Sequence, residues 1–246
     1  MIRLTLVVIT LVVISLMFMG ISYADTWYRE SFDNFKDGDI AGQKGWEILP
    51  LIPDMNSSTI QADVAFGDTG KSLLVEGGQY VTKDFPGKHG DTQHISFLCR
   101  KDSEPGGRIN HYTGGGEKRW EGAAVFSAGL PNMLRAFNEG SHDIVAVIEL
   151  EKWLHFHVVL DFKKEAYDIY IDGEQLVENF GFRGEDHRSL DWWFFGSSHL
   201  NEGGGPLVSY VDNISIGTGK GDPTKLPEMA VSSSGKLATT WAELKR

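Results

Sequence analysis

From Asp25 onward, short runs of β-branched and aromatic residues alternate with polar positions, and Gly, Asp and Asn separate the runs. That is the pattern of strands joined by turns, and helical spacing is nearly absent before the last ten residues. Strands are predicted near 27–33, 45–49, 58–65, 72–76, 79–84, 94–101, 107–112, 122–127, 133–138, 143–149, 153–162, 166–171, 175–178, 191–196 and 207–216. So many short strands at regular spacing imply a sandwich or barrel in one undivided domain. The clearest unit runs from Trp153 to Val177. Leu154, Phe156, Val158, Leu160 and Phe162 alternate with His155, His157 and Asp161, so the apolar set faces the core and the polar set faces outward. After a turn at 163–166, Ile169 and Ile171 point inward while Asp168 and Tyr170 point outward. Asp172-Gly173 supplies the next tight turn.

The two ends break this pattern. Arg3 is the single charge before an almost unbroken apolar run from Leu4 to Ile21, which ends in Ser22-Tyr23-Ala24. This is the layout of a secretory signal peptide, with cleavage expected before Asp25 and a retained anchor as the alternative. Residues 25–217 are expected to form the sandwich. The Gly-, Pro- and Ser-rich stretch after Gly217 reads as a linker, so 218–246 forms a separate tail. In its final eleven residues, Leu237, Trp241 and Leu244 share one face of a short amphipathic helix.

Charge narrows the partners. Without Arg3, 22 basic side chains stand against 34 acidic ones, a balance of −12. Such a surface repels nucleic acid and anionic lipid, leaving neutral sugars, cations or basic partners. Cys99 is the only cysteine, so no intrachain disulfide can form, and Ile95, Phe97 and Cys99 share a strand face that buries the thiol.

Three strings carry a family resemblance. Lys152-Trp153 opens a strand followed by Asp168-Ile169-Tyr170-Ile171-Asp172-Gly173. Glu30-Ser31-Phe32-Asp33 begins the domain, and Val211-Asp212-Asn213-Ile214-Ser215-Ile216 closes it. Residues 27–217 thereby resemble the laminin-G-like and concanavalin-A-like lectin/glucanase superfamily. The resemblance implies an all-β, two-sheet antiparallel jelly-roll sandwich whose last strand lies beside the first. The same fold carries lectins, glycosidases, lyases and adhesion modules, so it does not name a ligand. It further implies a structural calcium ion held by Asp212 with backbone carbonyls near the first strand, a donor set of hard oxygens.

Catalytic patterns are weak by comparison. Glu149-Leu150-Glu151 lacks the third acid of the glucanase strand, and Gln93-His94-Ile95 lacks the order used by alginate lyases. No Ser-His-Asp arrangement or zinc motif is legible, and no catalytic residue is assigned. His155-x-His157 has β spacing for two ligands to one metal, although a solvent-facing pair is the simpler reading.

Binding has more support. In Asp191-Trp192-Trp193-Phe194-Phe195-Gly196, alternation sends Trp192 and Phe194 to one face and Trp193 and Phe195 to the other. The family pattern makes Trp193 and Phe195 core. Trp192 is then expected on an open concave face with His155, His157 and Tyr170, and Trp120, Tyr112 and Arg108 at the rim. Aromatic faces with polar neighbours suit sugar rings. The expected function is an exported, non-catalytic glycan-binding module. The alternatives are a polysaccharide hydrolase or lyase with a diverged site, and a structural or adhesion domain.

Overall fold

The computed structural model describes residues 25–50, 58–68, 70–76, 79–85, 90–102, 109–115, 121–129, 132–197 and 208–227. The expected leader at 1–24 and the expected amphipathic segment at 236–246 lie outside these residues. So do Arg108 and Trp120.

The chain forms two antiparallel sheets. The larger contains β1 (Thr26–Glu30), β2 (Gly38–Asp39), β4 (Thr59–Gln61), β5 (Ser72–Glu76), β7 (Thr92–Lys101), β12 (Leu154–Asp161), β13 (Ala166–Ile171), β14 (Glu174–Gly181) and β16 (Val208–Thr218). Its order is β14-β13-β12-β7-β16-β5-β4-β2, with β1 also beside β16. The smaller contains β3 (Trp46–Pro50), β6 (Gln79–Asp84), β8 (Ile109–Gly114), β9 (Ala124–Gly129), β10 (Met133–Asn138), β11 (Ser141–Val147) and β15 (Trp192–Ser197). Its order is β11-β10-β9-β8-β15-β6-β3. Every predicted strand has a counterpart, and β2 is added.

The last strand is long enough to serve three neighbours. β7 runs along one edge of β16, while β5 pairs with its first half and β1 with its second. First and last strands therefore meet as expected.

The core lies between the sheets and is built on alternation. Phe156, Val158 and Leu160 stand opposite Ile171, Ile169 and Tyr167 on the inner face. Aromatic rings fill the space between the sheets. Phe97 stacks on Phe156 at 5.3 Å, and Trp193 meets Trp46 edge-on at 5.7 Å and Phe97 at 5.5 Å. Cys99 is buried among these apolar groups, and burial pushes its thiol up to about 12. The turn between β13 and β14 has φ of 51° at Asp172 and 85° at Gly173, the doubly positive conformation that favours glycine in a two-residue hairpin.

Two expectations need correction. Trp193 is fully buried as expected, but Trp192 is also buried, with 3% of its surface exposed. Trp192 and Phe194 sit on the outer face of the smaller sheet, in a second apolar cluster with Tyr80 and Val125. Alternation assigned the two faces correctly, but both faces of this strand are covered.

The second correction concerns the domain end. Gly217 lies inside β16, paired with Thr26 and His94, so the sandwich does not stop there. The Gly219 amide donates to the Thr92 carbonyl, and residues 219–227 turn back across the outer face of the larger sheet as a strap.

Both tryptophans should thus be costly to truncate. Trp193→Ala and Trp192→Ala are each expected to lower unfolding free energy by about 3–5 kcal/mol, as for buried aromatic truncations. Urea unfolding of the two variants checks this. A Trp192→Ala protein as stable as the parent would contradict the burial of that face.

Candidate functional site

Strand register builds the floor of a pocket on the outer face of the larger sheet. His157 on β12 stands opposite Tyr170 on β13 and Ser96 on β7. Ser96 stands opposite Ser215 on β16, which stands opposite Arg29 on β1. One row across five strands thus carries a phenol, an imidazole, two hydroxyls and a guanidinium. His94, two residues before Ser96 on the same face, begins the neighbouring row with Gly217 and Thr26. The strap forms a wall through Gly221, Asp222, Lys225 and Pro227, and the enclosed space is about 240 Å³.

Imidazoles hold the strap in place. His157 Nε2 lies 2.7 Å from the Lys220 carbonyl oxygen, and His94 Nδ1 lies 3.1 Å from that of Gly219. A carbonyl only accepts, so each of these nitrogens carries the proton. The other nitrogen of each neutral ring is a lone-pair acceptor. The His157 Nδ1 is buried and has no hydrogen-bond partner. The two rings stack at 5.2 Å. A Cβ on Gly221 would come within 2.7 Å of the His157 ring and 2.9 Å of the His94 ring, so only glycine lets the strap pass this closely.

These histidines are outward-facing but not solvent-facing. His155 and His157 are 2% and 1% exposed. Burial depresses the basicity of His94, His155 and His157, with His157 lowered to about 4 and further depressed by the two neighbouring imidazoles. All three are neutral at pH 7.

His155 engages a different set of groups. Its Nε2 lies 2.5 Å from Ser96 Oγ, a serine–histidine contact that strand spacing alone did not reveal. Asp172 does not complete a triad, because its Oδ1 accepts the backbone N–H of His155. Among the described residues, Asp222 is the one carboxylate lining the pocket. Its Oδ1 accepts from the Thr224 amide and hydroxyl, and these bonds hold its pKa below the usual carboxylate value.

The structure therefore brings together His155, His157 and Tyr170, the last with its ring 5.9 Å from that of His157. It separates Trp192, which lies on the other sheet. Ser96, Ser215, Arg29 and the strap residues were missed by the sequence reading. Alternation of His94 and Ser96 along β7 was the available signal, and the cross-strand register was what the sequence lacked.

Asp212 sits away from this pocket and is buried. Its carboxylate accepts the amides of Phe66 at 3.2 Å and Asn213 at 2.7 Å. Desolvation raises its pKa to about 7 despite these bonds, and the charge of Asp33 adds to the rise. Two nearby acids in a dry site suit a hard cation. No cluster of three His, Cys, Asp or Glu side chains occurs among the described residues.

Comparison with known proteins gives a fold. No known family pattern and no curated protein sequence matches the chain. The structure is similar to a sialidase, with a TM-score of 0.61 and 12% identity over 79% of this chain and 18% of that one. The chain thus spans under a fifth of the sialidase's length. It is also similar to domain 4 of AbnA, a GH43 extracellular arabinanase from Geobacillus stearothermophilus solved in complex with arabinotriose. That likeness has a TM-score of 0.52 and 17% identity over 83% of this chain and 99% of the domain. A third is the cellulose-induced protein Cip1, with a TM-score of 0.50 and 14% identity over 77% and 96% of the two chains. The likenesses, all under 25% identity, establish the β-sandwich fold.

The buried imidazoles make the strap sensitive to acid. A histidine whose folded pKa lies below its unfolded value stabilises the fold above the unfolded pKa, near 6.5, and that stability is lost as pH falls towards the folded pKa. His157 should contribute a loss of about 2 kcal/mol between pH 7 and 4.5, at 1.36 kcal/mol per unit. His111, fully buried and likewise depressed, acts in the same direction, whereas Asp212 acts in the opposite one. Urea unfolding of wild type and His157→Gln at both pH values isolates the His157 share. The variant should lose less stability on acidification, and equal losses would contradict the assignment.

Proposed function

We propose that this chain is an exported, non-catalytic glycan-binding module of the laminin-G-like, concanavalin-A-like sort, whose ligand enters the strap-walled pocket. The observation that carries the reading is the row of His157, Ser96, Ser215 and Arg29 beneath the strap. Sugar hydroxyls both donate and accept, and this row lines one pocket with two hydroxyls, a guanidinium and an imidazole ring. Tyr170 and His155 flank it. The likeness to a whole arabinanase domain bound to arabinotriose adds support at the level of fold. The apolar leader before Asp25 supports export, with a cell-envelope or extracellular location.

Hydrolysis or lyase chemistry is the second reading. Glycoside hydrolysis uses two carboxyl groups across the bond, about 5–9.5 Å apart. Among the described residues Asp222 is the one carboxylate lining the pocket, and this favours binding over that chemistry.

A glycan array probed with the full chain tests the proposal. Wild type should bind a defined subset, and Trp192→Phe should bind the same subset with the same strength. His157→Phe keeps the ring but removes both nitrogens, and should weaken binding about tenfold, the scale of one or two lost hydrogen bonds. Loss confined to Trp192→Phe would move the site to the smaller sheet.

Calcium at Asp212 is the second part of the proposal. The ion would keep this carboxylate ionised in its dry site and bind only the folded state, raising stability by mass action. Chelation should lower the melting temperature of wild type, and Asp212→Ala should melt at one temperature with or without chelator. A wild-type melt indifferent to chelator would remove the ion from the account.

A further inference from the structure

We infer that the core between the sheets binds one internal water molecule, held by the imidazole of His111 in a cavity at one end of the sandwich. The site is separate from the pocket under the strap, because His111 stands on β8 of the smaller sheet and stacks on Phe97 inside the core. Its ring is 1% exposed, and burial drives its basicity well below the ordinary imidazole value, so it is neutral at pH 7. A neutral imidazole carries one N–H and one lone pair, and each calls for a partner whichever tautomer is present. Neither nitrogen has a hydrogen-bond partner among the described residues. Native cores seldom carry such a loss, and where protein groups do not supply the partner, ordered water does.

Ring geometry turns those nitrogens towards the cavity. Phe97 and Phe126 lie nearly parallel to the imidazole, with centroids at 5.0 and 4.2 Å, too close for rings lying side by side. Two phenyl rings on one face at these distances would also touch each other, and no ring contact joins Phe97 to Phe126, so they cover opposite faces. With both faces covered, the imidazole lines the cavity with its edge. That edge runs Nδ1, Cε1, Nε2, Cδ2, so every atom on it is a nitrogen or is bonded to one.

Size and polarity then name the occupant. The cavity lies where β7 ends and β12 begins, and its volume is about 20 Å³. A single water needs roughly 10–15 Å³, whereas pockets for organic ligands start near 300 Å³. The space therefore admits a water and excludes a larger guest. A buried water makes roughly two to four hydrogen bonds, and Cys99, Lys101 and Glu149 line the same cavity as His111. Other buried ring nitrogens without a partner, those of Trp46 and Trp193, do not line it.

Oxygen-17 relaxation dispersion of the solvent, recorded on the full chain, counts long-lived internal waters and tests this. His111→Leu keeps similar bulk without a nitrogen, and His111→Gln keeps a donor and an acceptor. Wild type should carry one more long-lived water than His111→Leu, and His111→Gln should retain that water. An equal count in wild type and His111→Leu would overturn the inference. So would its loss from His111→Gln as well, since a change of shape rather than the missing nitrogens would then have emptied the cavity. Nitrogen NMR of the wild-type ring gives an answer even where a variant fails to fold. The lone-pair nitrogen of His111 should resonate as a hydrogen-bonded acceptor, and the resonance of a bare lone pair would overturn the bound water.

Discussion

The larger sheet must bury its central strands on both faces, and this constraint shapes the rest of the molecule. β7 and β12 are buried nearly end to end, inside by the aromatic core, and on the outer face the strap covers them at His94 and His157. Apolar residues solve the inner face by packing. The outer face carries His94, Ser96, His155 and His157, which are costly to bury unless hydrogen-bonded. Backbone carbonyls of the strap and side-chain contacts within the sheet meet that requirement for all but His157 Nδ1. The pocket follows from the same arrangement, because the strap covers the imidazoles and leaves space beside Ser215 and Arg29.

The smaller sheet solves a similar problem differently. β15 places Trp193 and Phe195 into the core and Trp192 and Phe194 into a separate outer cluster, so its two faces are both apolar. A strand with that composition is a stabilising element of the sandwich. Polar side chains collect instead on the opposite side of the molecule, where the row from Tyr170 to Arg29 crosses five strands.

Much of the fold was legible because alternation is a local property. The inward positions of β12 and β13 and the opposing faces of Trp192 and Trp193 follow directly from a period of two. The pairing of first and last strands came instead from the family resemblance of the closing string. The site was less legible because it depends on register and on a segment remote in sequence. Nothing local to Ser96 or Arg29 announces that Ser215 lies between them. Gly219 to Pro227 has the composition of a linker, yet the close approach of Gly221 to two imidazoles shows why small residues are needed there. Exposure of Trp192 was misjudged because alternation tells which face a residue takes and not what covers that face.

The central claim is that the strap fixes His157 as a neutral ring whose proton, on Nε2, is held by the Lys220 carbonyl beside the pocket, and imidazole nitrogen NMR reads that state directly. At pH 7, His157 should be neutral with its proton on Nε2. Its ring resonances should shift on titration with a glycan that the array identifies, while the core histidine His111 stays unchanged. A proton on Nδ1 in the free protein, or a His157 signal unmoved by saturating ligand, would contradict the account.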